Sequence, residues 1–361
     1  MRMRRRPTTS GLSAVARRGL LAGMPALLMA APAAAAAPAE EWQAFKRRFL
    51  APEGRLIDSG NEGVSHSEGQ GWGLMFAAAF DDRQAFDQIL GWTRRVLKRR
   101  NDNLHAWRFR PGAARPVEDQ NNATDGDLYI AYGLLMANAR WRHAPYHELA
   151  VAIGRDVLRV TLRRPHGRPV LLPGASGFES PAGTVLNPSY MMLPIYATLE
   201  QTMPGAGWAA IAQEAGEILR RARFGAWGLN PDWVLLPPAA EAPLRMPPGW
   251  PPRFSFDAVR APLALAWAGE VTHPALLGAH AFWSDPRWTT PPAWVDLVTG
   301  NTAEFQASPG MLAIAAFTAA RIAGGGTTVA LPSINASRDY YSASLTLLVR
   351  IACVSTGTPL A

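Results

Sequence analysis

The chain has 361 residues, 48% hydrophobic and 18% charged, so it is globular rather than disordered and long enough for one large core or two modest ones. Its formal net charge of +8 would favour a nucleic-acid partner, but Arg2, Arg4, Arg5, Arg6, Arg17 and Arg18 all precede the first acidic residue. Without them the balance falls to about +2, and nucleic-acid binding loses its electrostatic basis.

Residues 1–37 read as an export signal: a basic opening, an apolar run from Gly19 to Ala31, and small residues ending at Ala35, Ala36 and Ala37. Pro25 and Pro32 interrupt the run, which is too short to span a bilayer. Arg17-Arg18 followed by Gly-Leu-Leu resembles a twin-arginine signal, with an ordinary secretion signal as the equal alternative. The expectation is an exported protein, periplasmic or secreted, whose mature part, residues 38–361, is one domain with no membrane span.

Beyond residue 38 the apolar periodicity predicts helices over residues 40–50, 68–80, 83–99, 125–140, 146–162, 189–202, 208–222, 257–268, 274–282, 304–322 and 337–353. Residues 73–80 and 311–320 are apolar almost all round and belong inside, whereas 83–99 carries a charged face. Inner helices alternating with outer ones predict an all-α fold, an (α/α)6 double-ring barrel. Residues 163–188, with Gly, Pro and a β-like Pro169–Leu172, predict a small hairpin or long loop. Residues 236–253 hold seven prolines and read as an ordered loop over a cleft rather than an interdomain linker. The single cysteine, Cys353, lies in an apolar stretch and reads as a buried, inert thiol.

Three stretches carry candidate chemistry. In Ser67-Glu68-Gly69-Gln70-Gly71-Trp72-Gly73, Ser67 and Gln70 have capping-box spacing, which sets Glu68 at a helix mouth. Three glycines cost a helix roughly 1 kcal/mol each, so a close approach by backbone or ligand must offset them. Thr124 and Asp127 have the same box spacing and put Asp125 at a second helix mouth. In Phe254-Ser255-Phe256-Asp257-Ala258-Val259-Arg260 a third acid opens a helix, with Arg260 one turn later. Taken singly, each acid is explained by a helix dipole or an i,i+3 ion pair. If inner helices of a barrel start at one common end, the three acids converge.

These motifs, in this order and together with Asn187-Pro188-Ser189-Tyr190, resemble glycoside hydrolase family 8, from about Trp42 to Tyr341. Ala123-Thr124-Asp125-Gly126-Asp127 is the most specific part, and the likeness is to endoglucanases that accompany bacterial cellulose synthesis. The resemblance implies an (α/α)6 barrel, an acidic cleft, inversion at the anomeric carbon, and a β-1,4-glucan substrate. It also implies roles: Glu68 as proton donor, Asp257 as general base, Asp125 as the acid that binds and distorts the sugar at the cleavage point. Tyr190 would hold the attacking water and Arg260 would orient the cluster. Trp72 and Phe256 stand where tyrosine is common, which keeps an aromatic face but loses a hydroxyl. Trp72, Trp107, Gln70 and Asp127 complete the substrate-binding candidates.

A helix mouth lowers the pKa of Glu68, and the neighbouring Asp125 charge together with desolvation is expected to raise it again. Of thirteen tryptophans, Trp72, Trp107, Trp227, Trp233, Trp250 and Trp294 are cleft candidates, and Trp42, Trp92 and Trp141 are core candidates. His143 and His147 have no third ligand, so no metal is expected, and no cofactor is needed. A cellulose synthase complex is a further candidate partner. The alternatives are a hydrolase of xylan, chitosan or mixed-linkage glucan, and a non-catalytic glycan-binding protein of the same fold. A lyase fits the three acids less well.

Overall fold

The computed structural model describes residues 39–361, so the expectations for residues 1–37 lie outside the described part. Eleven α-helices occur there: α1 (Ala39–Phe49), α2 (Ser67–Ala79), α3 (Arg83–Val96), α4 (Thr124–Trp141), α5 (Ala144–Thr161) and α6 (Leu193–Thr202). Then come α7 (Trp208–Arg221), α8 (Arg260–Ala268), α9 (Pro274–Trp283), α10 (Pro309–Ala323) and α11 (Tyr340–Thr356). Contacts of α2 with α4, α4 with α6, α6 with α8, α8 with α10, α10 with α11, and α11 back with α2 close an inner ring. The first and last of these are buried nearly all round, as their sequences require. Outside lie the more polar α3 on α2, α5 on α4 and α7 on α6, together with the apolar α9 on α8. Between α10 and α11 no outer helix intervenes among the described residues; the chain there makes only a 3-10 turn, Ile334–Ala336. The fold is the expected double-ring helical barrel.

Gly71 of α2 and Gly126 and Gly133 of α4 serve the contact between these two helices, while Gly69 makes room for the Tyr340 ring of α11 and Gly73 for the Leu56 and Ile89 side chains. A Cβ on Gly71 would lie 2.5 Å from the Tyr129 Cβ, and one on Gly133 2.8 Å from the Leu74 Cβ. At the mouth, a Cβ on Gly126 would sit 2.2 Å from the Ser67 hydroxyl and 2.7 Å from the Glu68 backbone nitrogen. The propensity cost is offset by close packing inside the protein, backbone against backbone at Gly71 and backbone against side chain at Gly69 and Gly73, not by a ligand's approach.

The strands are short. β1 (Ser65–His66) pairs with β2 (Arg108–Phe109), and β3 (Leu162–Arg163) with β4 (Val170–Leu171). β5 (Glu179–Ser180), β6 (Gly183–Leu186) and β7 (Val234–Leu236) form one antiparallel sheet, and β8 (Arg253–Phe254) pairs with β9 (Val295–Asp296). The hairpin expected in 163–188 is therefore present, extended by β7. The Pro-rich stretch folds back on itself, Leu235 bridging Arg245, so it is an ordered loop.

Candidate active site

The amino-terminal ends of α2, α4 and α8 meet at one mouth, with the 3-10 turn Pro188–Tyr190 beside them. Their meeting point is Arg260. It is 5% exposed, and its guanidinium lies 5.7 Å from the Trp72 ring centroid. One amino group, Nη1, donates to Glu68 Oε1. The other, Nη2, donates to Asp257 Oδ1 at 2.8 Å and to the Ser189 hydroxyl at 2.9 Å, and lies 3.9 Å from Asp125. Ser189 in turn donates to Asn187 Oδ1 at 2.7 Å. A single fork thus ties three acids from three inner-ring segments, the geometry for which a guanidinium is suited.

The acids differ in setting. Burial pushes the Glu68 carboxyl well above the usual range; Arg260 opposes this, while the charge and hydrogen bond of Asp125 add to it. Burial also raises Asp125, with Arg260, the Glu68 hydrogen bond and the Gly126 N–H pulling the other way. A protonated carboxyl has one acceptor oxygen and one O–H donor. Glu68 can therefore accept from Arg260 while its O–H points to Asp125, and the shared proton rests on Glu68. Asp257 is 36% exposed, the most open of the three. The arrangement can give a proton from an enclosed carboxyl and take one at an open carboxylate.

Tyr190 sits in that 3-10 turn, and its phenol is raised well above the usual value by burial and by the charges of Asp125, Asp257 and Glu68, which it therefore faces. Trp107 lies half-exposed at the rim: its carbonyl accepts from the Ser67 N–H at 3.0 Å, and its indole bonds Asp119 at 2.8 Å. Its ring runs parallel to His66 and carries the Arg108 guanidinium 4.4 Å from its centroid.

Three substrate-binding candidates are corrected. Gln70 is fully buried, accepts from Leu56 N–H at 2.7 Å and donates to the Gly54 carbonyl and the Thr93 hydroxyl. Asp127 is fully buried and accepts from the His105 backbone at 2.9 Å and from the Asn122 amide at 3.0 Å, with the His105 ring 2.9 Å away. Trp72 is fully buried and forms the floor beneath Arg260, edge-on to Tyr129. Each of the three is enclosed by the protein, so none presents a face to a sugar. Both capping boxes fail for the same reason. The helices begin one residue earlier than expected, at Ser67 and Thr124, no side chain caps either helix, and the Thr124 hydroxyl donates instead to the Leu172 carbonyl. Asp257 precedes α8 by three residues rather than opening it.

The sequence reading missed Tyr129, Asp232 and Tyr341. The phenols of Tyr129 and Tyr341 are raised by burial and lie in the field of Arg260 and Glu68. Tyr341 also donates to the Phe256 carbonyl. The consecutive tyrosines 340 and 341 at the start of an inner helix were a usable signal, since the same helix-mouth logic located the acids.

Compared with known protein families, residues 18–354 match the glycosyl hydrolases family 8. The chain belongs to this family. Family 8 relatives include a probable endoglucanase of Novacetimonas hansenii, 41% identical over 88% of this chain and 91% of that protein. An endoglucanase of Cellulomonas uda is 38% identical over 76% of this chain and 75% of its own length. Among solved structures, an endo-β-1,4-glucanase from Acetobacter xylinum superposes with a TM-score of 0.81 at 39% identity, covering 89% of this chain and 98% of that one. This family 8 chain is a glycoside hydrolase, and no helix among its described residues is long and apolar enough to cross a membrane.

Proposed function

We propose that this glycoside hydrolase is an inverting endo-β-1,4-glucanase acting on cellulose or a closely related β-glucan. The observation that supports it most is Arg260 holding Glu68 and Asp257 on separate arms, with the enclosed Glu68 as the protonated member. The names borne by the most similar relatives point the same way. Glu68 gives its proton to the glycosidic oxygen as the C1–O bond breaks. Water attacks C1 from the opposite face and passes a proton to Asp257, so the β-linkage yields an α-product and no covalent intermediate forms. Arg260 then holds the Glu68 carboxylate that proton release has created. Asp125 keeps the proton on Glu68 in the resting site and binds the sugar at the cleavage point. Tyr190 holds the attacking water, and Trp107 offers a half-exposed ring at the cleft rim.

Residues 1–37 direct export, residues 38–361 form the catalytic domain, and the enzyme works in the periplasm or outside the cell. A role beside a cellulose synthase complex follows from the resemblance to endoglucanases of bacterial cellulose production. Purified mature protein added to carboxymethyl cellulose tests the activity: a rapid viscosity fall, with α-anomeric ends appearing first by proton NMR, is expected. Turnover confined to xylan, chitosan or mixed-linkage glucan would change the substrate, and β-anomers would overturn inversion. Binding without turnover on all four would favour a glycan-binding protein.

A further inference from the structure

The turn that presents Asp257 is held by more than its own backbone bonds, Val259 N–H to Ser255 and Arg260 N–H to Asp257, both at 3.1 Å. It spans Ser255–Ala258, between β8 and α8, and is anchored by Asp232, which stands just ahead of β7, more than twenty residues earlier in the chain. Oδ1 of Asp232 accepts from the Ser255 N–H at 3.0 Å and from the Ala258 N–H at 2.8 Å, and Oδ2 accepts from the Ser255 hydroxyl. The backbone N–H of Asp232 also bonds the Arg253 carbonyl at 2.7 Å. One 8% exposed carboxylate therefore grips the turn on both sides of Asp257. Asp232 makes no direct contact with Glu68, Asp125 or Arg260 among the hydrogen bonds of the described residues, so its hydrogen-bonded link to the site runs through this turn.

We infer that Asp232 is a positioning residue for the reaction, which fixes the Ser255–Ala258 turn so that the Asp257 carboxylate keeps its place across the cleft from Glu68. The inference rests on Asp257 being the general base. Three charge-assisted contacts on one turn restrict it far more than its own backbone bonds do, and a misplacement of about 1 Å at a reacting group costs on the order of 10²-fold in rate. The titratable groups facing Asp232 are Asp257 from the turn itself and Tyr341 from α11. Burial, and then the Asp257 charge, raise the Asp232 carboxyl to about 6, so Asp232 carries its charge only above that pH.

The test compares Asp232→Asn, which keeps an acceptor for both N–H groups but removes the charge, with Ser255→Ala, which removes only the hydroxyl bond, and Asp257→Asn as control. Each is assayed on carboxymethyl cellulose across pH, alongside thermal unfolding. For Asp232→Asn we expect kcat down ten- to a hundredfold with KM within about twofold, and the pH profile changed near pH 6, where the wild-type Asp232 carboxyl takes up a proton and the amide cannot. Ser255→Ala should lose less in kcat with its acid limb unmoved. Asp232→Asn with wild-type kcat and pH profile, beside an inactive Asp257→Asn, would overturn the inference and leave the base assignment standing. Activity falling only in step with the folded fraction, at an unchanged pH profile, would also overturn it. An active Asp257→Asn would instead remove the base assignment itself.

Discussion

Replacing Gly126 by alanine should damage catalysis far more than it damages folding. The new methyl would lie 2.2 Å from the Ser67 hydroxyl, 2.7 Å from the Glu68 backbone nitrogen and 2.8 Å from the Ser67 carbonyl carbon. Two of these are main-chain atoms, so rotating one side chain does not relieve the clash. Restoring van der Waals contact needs α2 and α4 to part by on the order of 1 Å at the end that carries Glu68 and Asp125. Overpacking of this kind costs about 1–3 kcal/mol, and alanine's better helix propensity returns about 1 kcal/mol. The net loss of at most about 2 kcal/mol lowers Tm by only a few degrees in a chain of this size. A 1 Å displacement of the acid, in contrast, lowers kcat by about 10²-fold. Gly91→Ala is the control, because a Cβ there meets nothing within 4 Å and should raise stability by up to about 1 kcal/mol. Viscometric kcat and thermal unfolding of both variants check this. Wild-type kcat in Gly126→Ala would refute the idea that helix separation at the mouth positions Glu68.

Gln70→Ala removes three buried hydrogen bonds, to Leu56, Gly54 and Thr93, and should destabilise by about 3 kcal/mol with KM for glucan unchanged; a raised KM at wild-type stability would restore Gln70 as a sugar contact. Burial, helped by Arg108 and Arg260, lowers His66 from 6.5 to about 4. The unfolded chain therefore binds the extra proton first, and stability is lost as pH falls from 6.5 toward 4, by up to about 3 kcal/mol from this group. The raised carboxyls Glu68, Asp125 and Asp232 act in the opposite sense over their own ranges, so the informative quantity is the difference in slope between wild type and His66→Gln. Urea midpoints between pH 7 and 4 should fall less steeply in the variant, and equal slopes would contradict the buried neutral imidazole.

Most helices were readable because burial on the inner ring and charge on α3, α5 and α7 of the outer ring leave opposite hydrophobic patterns, whereas the outer α9 has no Asp, Glu, Lys or Arg. Their starts were not, wherever a proline or a distant partner decided them. The helix expected from Ser189 begins at Leu193, since Asn187 and Pro188 build a 3-10 turn first. The one expected from Glu304 begins at Pro309 behind Ser308, whose hydroxyl accepts from the Met311 N–H. Asp257, Asp125 and Glu68 were legible as acids at helix mouths, and their convergence on Arg260 followed once the ring closed. Gln70, Asp127 and Trp72 were misread because a local motif does not show that a side chain points inward to partners far along the chain. Asp232 gave no motif at all; its importance comes from a turn more than twenty residues away.

The proposed delivery of a proton by Glu68 to the leaving oxygen makes turnover depend on the leaving group. Glu68→Gln is compared with wild type on cellulose chains, whose leaving sugar needs protonation, and on a cello-oligosaccharyl fluoride, whose leaving fluoride does not. A loss of at least about 10³-fold on cellulose is expected, with fluoride turnover within about tenfold of wild type, because Asp257 and Arg260 remain in place. Equal losses on both substrates, or retained cleavage of cellulose, would contradict it.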